Sequence, residues 1–171
     1  MWKIVRQIAR NGIRTEAAPF ATGDEAPAAV ERIHQDILEI LGQALAIREV
    51  DAGSCNGCEL EINAMGNPYY NLEGLGIRFV ASPRHADMLL VTGPVSRNME
   101  MALRRTYDAM PEPRLVVAVG DCGCTGGIFG ESYATCGAVA NVVPVDAMVP
   151  GCPPPPIEIM RAILSAVRRR R

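Results

Sequence analysis

Six cysteines stand at Cys55, Cys58, Cys122, Cys124, Cys136 and Cys152, and their spacing is the first chemistry the chain offers. Cys55-Asn56-Gly57-Cys58 is a C-x-x-C pair, a spacing that lets two thiolates grip one metal ion or one cluster. Gly53 and Gly57 are expected to permit the tight backbone of such a loop. Alone, the pair is ambiguous among zinc, a thioredoxin-like dithiol and an iron–sulfur cluster. A zinc ribbon wants a second C-x-x-C or a histidine pair. The second pair here is C-x-C, and the only histidines, His34 and His85, are isolated. A dithiol would leave Cys122 and Cys152 unexplained. The third element, Gly120-Asp121-Cys122-Gly123-Cys124-Thr125-Gly126-Gly127, reads as a glycine-rich turn whose N–H groups can approach an anionic cluster and tune it. The fourth is Val149-Pro150-Gly151-Cys152-Pro153-Pro154, where proline directly after a cysteine stiffens the loop, as in ferredoxin cluster loops. Four thiolates complete a [4Fe–4S] site.

Those loops need a frame that brings them together. From about Ile47 onward, short apolar runs alternate with helical stretches. Strands are expected at Ile47–Asp51, Gly76–Ala81, Asp87–Gly93, Arg114–Gly120 and Asn141–Asp146. Helices are expected from Glu59 to Met65, over Asn98–Met110 and over Pro155–Arg168, the last carrying Ile157, Ile159, Met160, Ile163, Leu164 and Val167. Arg114–Gly120 is near-continuously apolar, as buried parallel strands are. This alternation predicts an α/β fold, a flavodoxin-like parallel sheet with helices on both faces. Ligands of such sheets bind beyond the carboxyl ends of the strands. Cys55 follows the first strand, Cys122 the central one and Cys152 the last, so three distant segments should deliver sulfur to one edge.

Upstream, residues 1–45 are expected to form a helical N-terminal extension. A basic amphipathic segment (1–14) with Trp2, Ile4, Val5, Ile8 and Ile13 leads into an alanine-, proline- and glycine-containing linker. A helix follows, with Val30, Ile33, Ile37, Ile40, Leu41 and Leu45 on one face, after the capping-box pattern Thr22-Gly23-Asp24-Glu25. Residues 46–171 would be the cluster-binding domain.

Composition narrows the class. The chain has 171 residues, 49% hydrophobic and 21% charged, with a formal net charge of −2. That size suits one core-forming domain that needs no disulfide staples. The charge balance gives no basic excess, so nucleic acid is not an expected partner. Arg6, Arg10 and Arg14 interrupt every early apolar stretch, which argues against a signal peptide. No run approaches the roughly 18 apolar residues of a spanning helix. A cytoplasmic protein, or one peripheral to the inner face of the cell membrane, is expected. Neither a phosphate loop nor a G-x-G-x-x-G fingerprint occurs.

Taken together, Cys55-x-x-Cys58, Gly120-x-Cys122-x-x-x-Gly126-Gly127 and Gly151-Cys152-Pro153-Pro154 resemble the small subunit of membrane-bound, energy-conserving [NiFe] hydrogenases of the formate-hydrogenlyase and carbon-monoxide-induced types. Ser82–Asp87, Met110–Arg114 and Pro144–Asp146 also resemble the homologous B-type subunit of respiratory complex I. The likeness runs from about Val50 to Ile163. The complex I subunit carries adjacent cysteines at the first position, so Cys55-Asn56-Gly57-Cys58 followed by Glu59 favours the hydrogenase branch. The resemblance implies that Cys55, Cys58, Cys122 and Cys152 ligate one proximal [4Fe–4S] cluster. It implies an electron-transfer subunit with no complete active site of its own. Its partners would be a Ni–Fe or complex-I-like large subunit, a ferredoxin-like iron–sulfur subunit and membrane subunits of the same complex. A B-type subunit of a quinone reductase is the alternative within that class, and a zinc-stapled interaction module the alternative outside it.

The remaining candidates carry less. Cys124 and Cys136 match no ligand position, although Cys124 shares a turn with Cys122 and could exchange with it. Glu59 and Glu61 read as a solvated helix start favoured by the helix dipole, or as proton-relaying acids at a partner interface. Arg84 and His85 suit a surface loop or a contact with Asp87. Arg168–Arg171 reads as a solvated tail, or as a contact for anionic lipid or an acidic partner.

Overall fold

The computed structural model of the chain describes Arg6 and residues 44–169. Apart from Arg6, the amphipathic segment, the linker and the helix through Leu41, His34 included, fall outside the described residues, as do Arg170 and Arg171 of the arginine tail. Leu45, expected on that helix's apolar face, instead opens the first strand.

Five parallel strands form one sheet in the order β2-β1-β3-β4-β5: β1 (Leu45–Asp51), β2 (Ile77–Phe79), β3 (Met88–Thr92), β4 (Leu115–Val119) and β5 (Ala147–Val149). Four α-helices accompany them among the described residues: α1 (Gly57–Ala64), α2 (Arg97–Asp108), α3 (Gly120–Thr125) and α4 (Pro156–Arg168). β3 and β4 are buried along their whole length, which is why their sequences show apolar runs without alternation.

Alternate residues of the central strands feed two separate cores. Leu45, Ile47, Met88, Leu90, Val117 and Val119 pack with Ile62 of α1 and with Ile159, Ile163 and Val167 of α4. Val50, Leu89, Val91, Val116 and Ala118 pack on the opposite face with Leu103 of α2 and with Val139, Val142 and Val143. The sheet is therefore covered on both sides, as the alternation of elements predicts.

Two expected elements come out differently. The strand expected at Asn141–Asp146 lies later in the chain, at Ala147–Val149. Its apolar residues Val142 and Val143 are spent on the core under α2, after a short 3-10 turn at Val139–Asn141, and Arg104 donates to the Val142 carbonyl at 2.9 Å. Pro144, without an N–H, ends that stretch, and pairing with β4 begins only where Asp146 N donates to Val116 O at 2.8 Å. The glycine-rich stretch after β4, expected as a turn, winds into the helix α3. Thr125 Oγ1 donates to Asp121 O at 3.0 Å along it, and Gly126 in the left-handed region closes it.

The strands β3 and β5 are preceded by the same device. Asp87, just before β3, accepts the Ala46 N–H through Oδ2 at 2.9 Å while its own N–H donates to Ala46 O at 2.8 Å. Asp146, just before β5, accepts the Val116 N–H through Oδ2 at 2.8 Å and donates to Val116 O at 2.8 Å. Each carboxylate thereby fixes the register of its strand against the neighbouring one.

Candidate metal centre

Three connections leave the carboxyl ends of strands on one side of the sheet, and each carries cysteine. After β1 the chain reaches Cys55 and then Cys58, in the first turn of α1; after β4 it reaches Cys122 in α3; after β5 it reaches Cys152. The four cysteines line a single pocket with Gly120 and Gly151 in its wall. Cys55 and Cys152 are exposed at its mouth, and Cys58 and Cys122 are partly buried.

Local chemistry shapes the first loop. Asp51 Oδ1 accepts the N–H groups of Gly53 and Ser54, both at 2.8 Å, which turns the chain out of β1. Ser54 Oγ accepts the Asn56 N–H at 2.9 Å and donates to Glu59 Oε2 at 2.5 Å. The left-handed backbone that the loop needs comes from Gly53 (φ 124°) and from Asn56 (φ 73°), one of the few residue types that tolerate it. Gly57, expected to supply that freedom, takes an ordinary φ.

At the back of the pocket, space decides the residue. A Cβ on Gly120 would stand 2.6 Å from Cys58 Sγ, and one on Gly127 would stand 2.9 Å from Cys122 Sγ. Both are closer than real contacts allow, so these glycines leave the sulfurs the room that a side chain would fill. Gly120, at φ 83°, also passes directly from the last strand residue into α3 with a backbone that β-carbon-bearing residues avoid.

The electrostatics report the convergence of the four sulfurs. Burial first, then the Glu59 charge and those of Cys55, Cys122 and Cys152, push the Cys58 thiol up to about 12. Cys122 is likewise raised, by burial and then by Cys152 and Cys55. Four thiolates cannot share this pocket unless positive charge joins them. One zinc ion would draw its sulfurs to about 2.3 Å from a single point. Among the described residues no three Cys, His, Asp or Glu side chains are gathered closely enough to hold one ion. A cubic cluster takes its thiolates on separate irons, and four cysteine sulfurs lining one pocket are the donor set it takes.

Cys124 and Cys136 are both buried, and neither lines the pocket. Cys124, two positions along α3 from Cys122, turns its thiol inward toward Ala118 O, 3.6 Å away. Cys136 donates to Glu100 Oε2 at 3.3 Å, and Arg97 in turn reaches Glu100 and Glu131. His85 lies in a short 3-10 turn before β3, at the other end of that strand from the cysteines.

Glu59 departs from the solvated helix start expected of it. Its side chain is buried, and Oε1 has no hydrogen-bond partner. The sequence shows only an acid in a first helical turn, and tertiary packing of α1 onto the sheet puts it inside. Asp51, Ser54 and Asp121 also escape the sequence reading; only Asp51, ahead of Ala52-Gly53-Ser54, carries a turn signal that could have revealed it. Beside the cysteine pocket a wider hollow opens between Pro94 and the protruding residues Ile128 and Phe129. Ile128 is 94% exposed and Tyr133, farther along the same loop, 98%.

Residues 55–166 match the family described as NADH ubiquinone oxidoreductase, 20 Kd subunit. The chain is similar to a probable membrane-bound hydrogenase subunit, mbhJ, of Pyrococcus furiosus, at 40% identity over 81% of this chain and 83% of that protein. It is similar to the B-type subunit of the NADH-quinone oxidoreductase of Desulfovibrio desulfuricans at 52% identity over 58% of this chain, spanning 54% of that protein. Among solved structures it resembles a chain of the membrane-bound sulfane sulfur reductase, an archaeal respiratory membrane complex, with a TM-score of 0.61 and 30% identity over 77% of this chain and 72% of that one.

Proposed function

The chain belongs to the family of the NADH ubiquinone oxidoreductase 20 Kd subunit, and we propose that it holds one [4Fe–4S] cluster through Cys55, Cys58, Cys122 and Cys152 and relays electrons within a membrane-associated oxidoreductase complex. The observation that carries this reading is the meeting of four cysteines from three separate connections in one pocket at the carboxyl edge of the strands. The cluster would supply one-electron carriage. The protein's own residues supply the rest: Asp51 and Ser54 set the first loop, glycines clear the room, and the buried sheet below holds the three loops at fixed separation.

The reading extends to partners. Ile128 and Phe129 stand out beside the pocket and Tyr133 farther along the same loop, and solvent-exposed apolar side chains of that size mark contact surfaces. A large subunit docking there would cover the mouth and bring its redox centre within electron-transfer reach. In the hydrogenase branch that subunit carries the Ni–Fe centre, and a ferredoxin-like subunit exchanges electrons with this one. Among the described residues no helix is long and apolar enough to cross a membrane, so attachment to the inner face of the cell membrane would run through membrane subunits of the complex.

Anaerobic purification should give a brown protein with about four irons and four sulfides per chain, and replacing Cys152 by alanine should abolish them. A colourless protein with one zinc would overturn the reading. The 52% identity to a B-type subunit of an NADH-quinone oxidoreductase favours a second placement, in a quinone-reducing complex. The large subunit that co-purifies separates the two: one carrying nickel assigns the hydrogenase branch, and one without it the quinone reductase.

A further inference from the structure

Cys122 and Cys152 come from loops that are 30 positions apart in the chain, and one residue ties them together. Asp121 Oδ1 accepts the Gly151 N–H at 2.7 Å, and the Asp121 N–H donates to Gly151 O at 2.8 Å. Each partner is the immediate neighbour of an expected ligand. The first cysteine loop, by contrast, is braced by its own members, through Asp51, Ser54 and Glu59.

We propose that Asp121 is a positioning residue for the cluster: its paired hydrogen bonds with Gly151 clamp the Cys122 and Cys152 loops into one unit, and its fixed negative charge holds the reduction potential down.

The geometry gives the clamp little redundancy. Gly151 sits at φ 137°, where a Cβ would stand 2.7 Å from Pro154 Cα, so its backbone is confined to glycine and it offers Asp121 only main-chain groups. Pro153 and Pro154, which follow Cys152, have no N–H with which to make a substitute bond. A carboxylate acceptor makes a charge-assisted bond, stronger than one to a neutral oxygen. The charge is near enough to be felt in the pocket, since Asp121 lines its wall beside Cys122. Reduction adds one negative charge to the cluster, the electron coming from a chemical titrant, and an adjacent carboxylate opposes that addition.

The inference rests on the cluster reading above, and the test separates the two. Wild-type chain, Asp121→Asn and Asp121→Ala are purified anaerobically as full-length single chains. Three quantities are then measured: iron and sulfide content, the rate of iron loss to a chelator, and the midpoint potential from an EPR-monitored titration. Asp121→Asn keeps an acceptor oxygen for Gly151 and loses the charge. It should retain iron and the EPR line shape of wild type, with the potential moved to a more positive value. Asp121→Ala should lose iron about 10-fold faster, in the range typical of lost outer-shell partners. Equal iron loss from the alanine variant and wild type overturns the clamp. An unmoved potential in the asparagine variant overturns the charge effect, and that arm decides even if the alanine variant does not fold. Wild-type protein without iron sinks the cluster reading itself.

Discussion

Ser54 joins two tasks in one hydroxyl. It accepts the Asn56 N–H, which holds the Cys55 loop, and it donates to the buried carboxylate of Glu59, whose other oxygen has no partner. Replacing Ser54 by alanine would leave both Glu59 oxygens buried and unsatisfied, an arrangement that costs about 1–3 kcal/mol or more. Denaturant unfolding of Ser54→Ala should therefore report a loss of at least that order, and an unchanged midpoint would mean the hydroxyl is not needed there. At this scale the sequence was partly legible. The types and spacing of Cys55, Cys58, Cys122 and Cys152 mark them out, because thiolate chemistry depends on few residue types. The burial of Glu59 was not legible, because an acid in a first helical turn looks the same whether the helix faces solvent or a sheet. The inward turn of Cys124 was hidden for a similar reason: it depends on α3, which glycine-rich composition disguises as a loop.

Register rests on the aspartates that open β3 and β5. Asp146 takes the Val116 N–H with its side chain and gives its own N–H to Val116 O, so a short edge strand is placed before its ladder begins. Asp146→Ala removes the acceptor from a part-buried backbone donor in β4 and should cost about 1–3 kcal/mol, as a lost hydrogen bond to a charged group does. Thermal unfolding checks it; a shift no larger than that of an exposed surface substitution would show the strand is held by packing alone. The strands themselves were legible where both faces are buried, as in Met88–Thr92 and Leu115–Val119, since two-sided burial writes an apolar run. Val142 and Val143 produced the same signal without being a strand. A short apolar run records burial, and the sequence does not say whether a ladder or a packed loop achieves it.

For the whole molecule, the alternation of apolar runs and helical stretches predicted a parallel sheet covered on both faces, while the strand order could be read only from the structure. In the observed order β2-β1-β3-β4-β5 the chain reverses its direction of travel between β1 and β3, and the crevice beyond their carboxyl ends is where such sheets bind their ligands. That side of the sheet also concentrates negative charge. Burial, and then the Glu59 charge, hold the Glu49 carboxyl above its ordinary value of 4.5. A group whose pKa is raised in the folded state contributes stability that is complete below the unfolded value and lost as pH rises through the folded one. Glu49 is thus a net cost at neutral pH. Glu49→Gln should raise the Tm at pH 7, and the gain should disappear once the pH falls below about 4; a gain independent of pH would point to packing instead. The distribution of the four cysteines over three connections has a mechanical consequence as well. A cluster bound to all of them would cross-link the chain, closing one ring through residues 58–122 and another through residues 122–152. Rings of that length deprive an unfolded polymer of much of its freedom, so the loaded chain should unfold at a higher temperature than the same chain stripped by a chelator. Oxygen damage at a single inorganic centre would then release most of the tertiary structure from its tether at once.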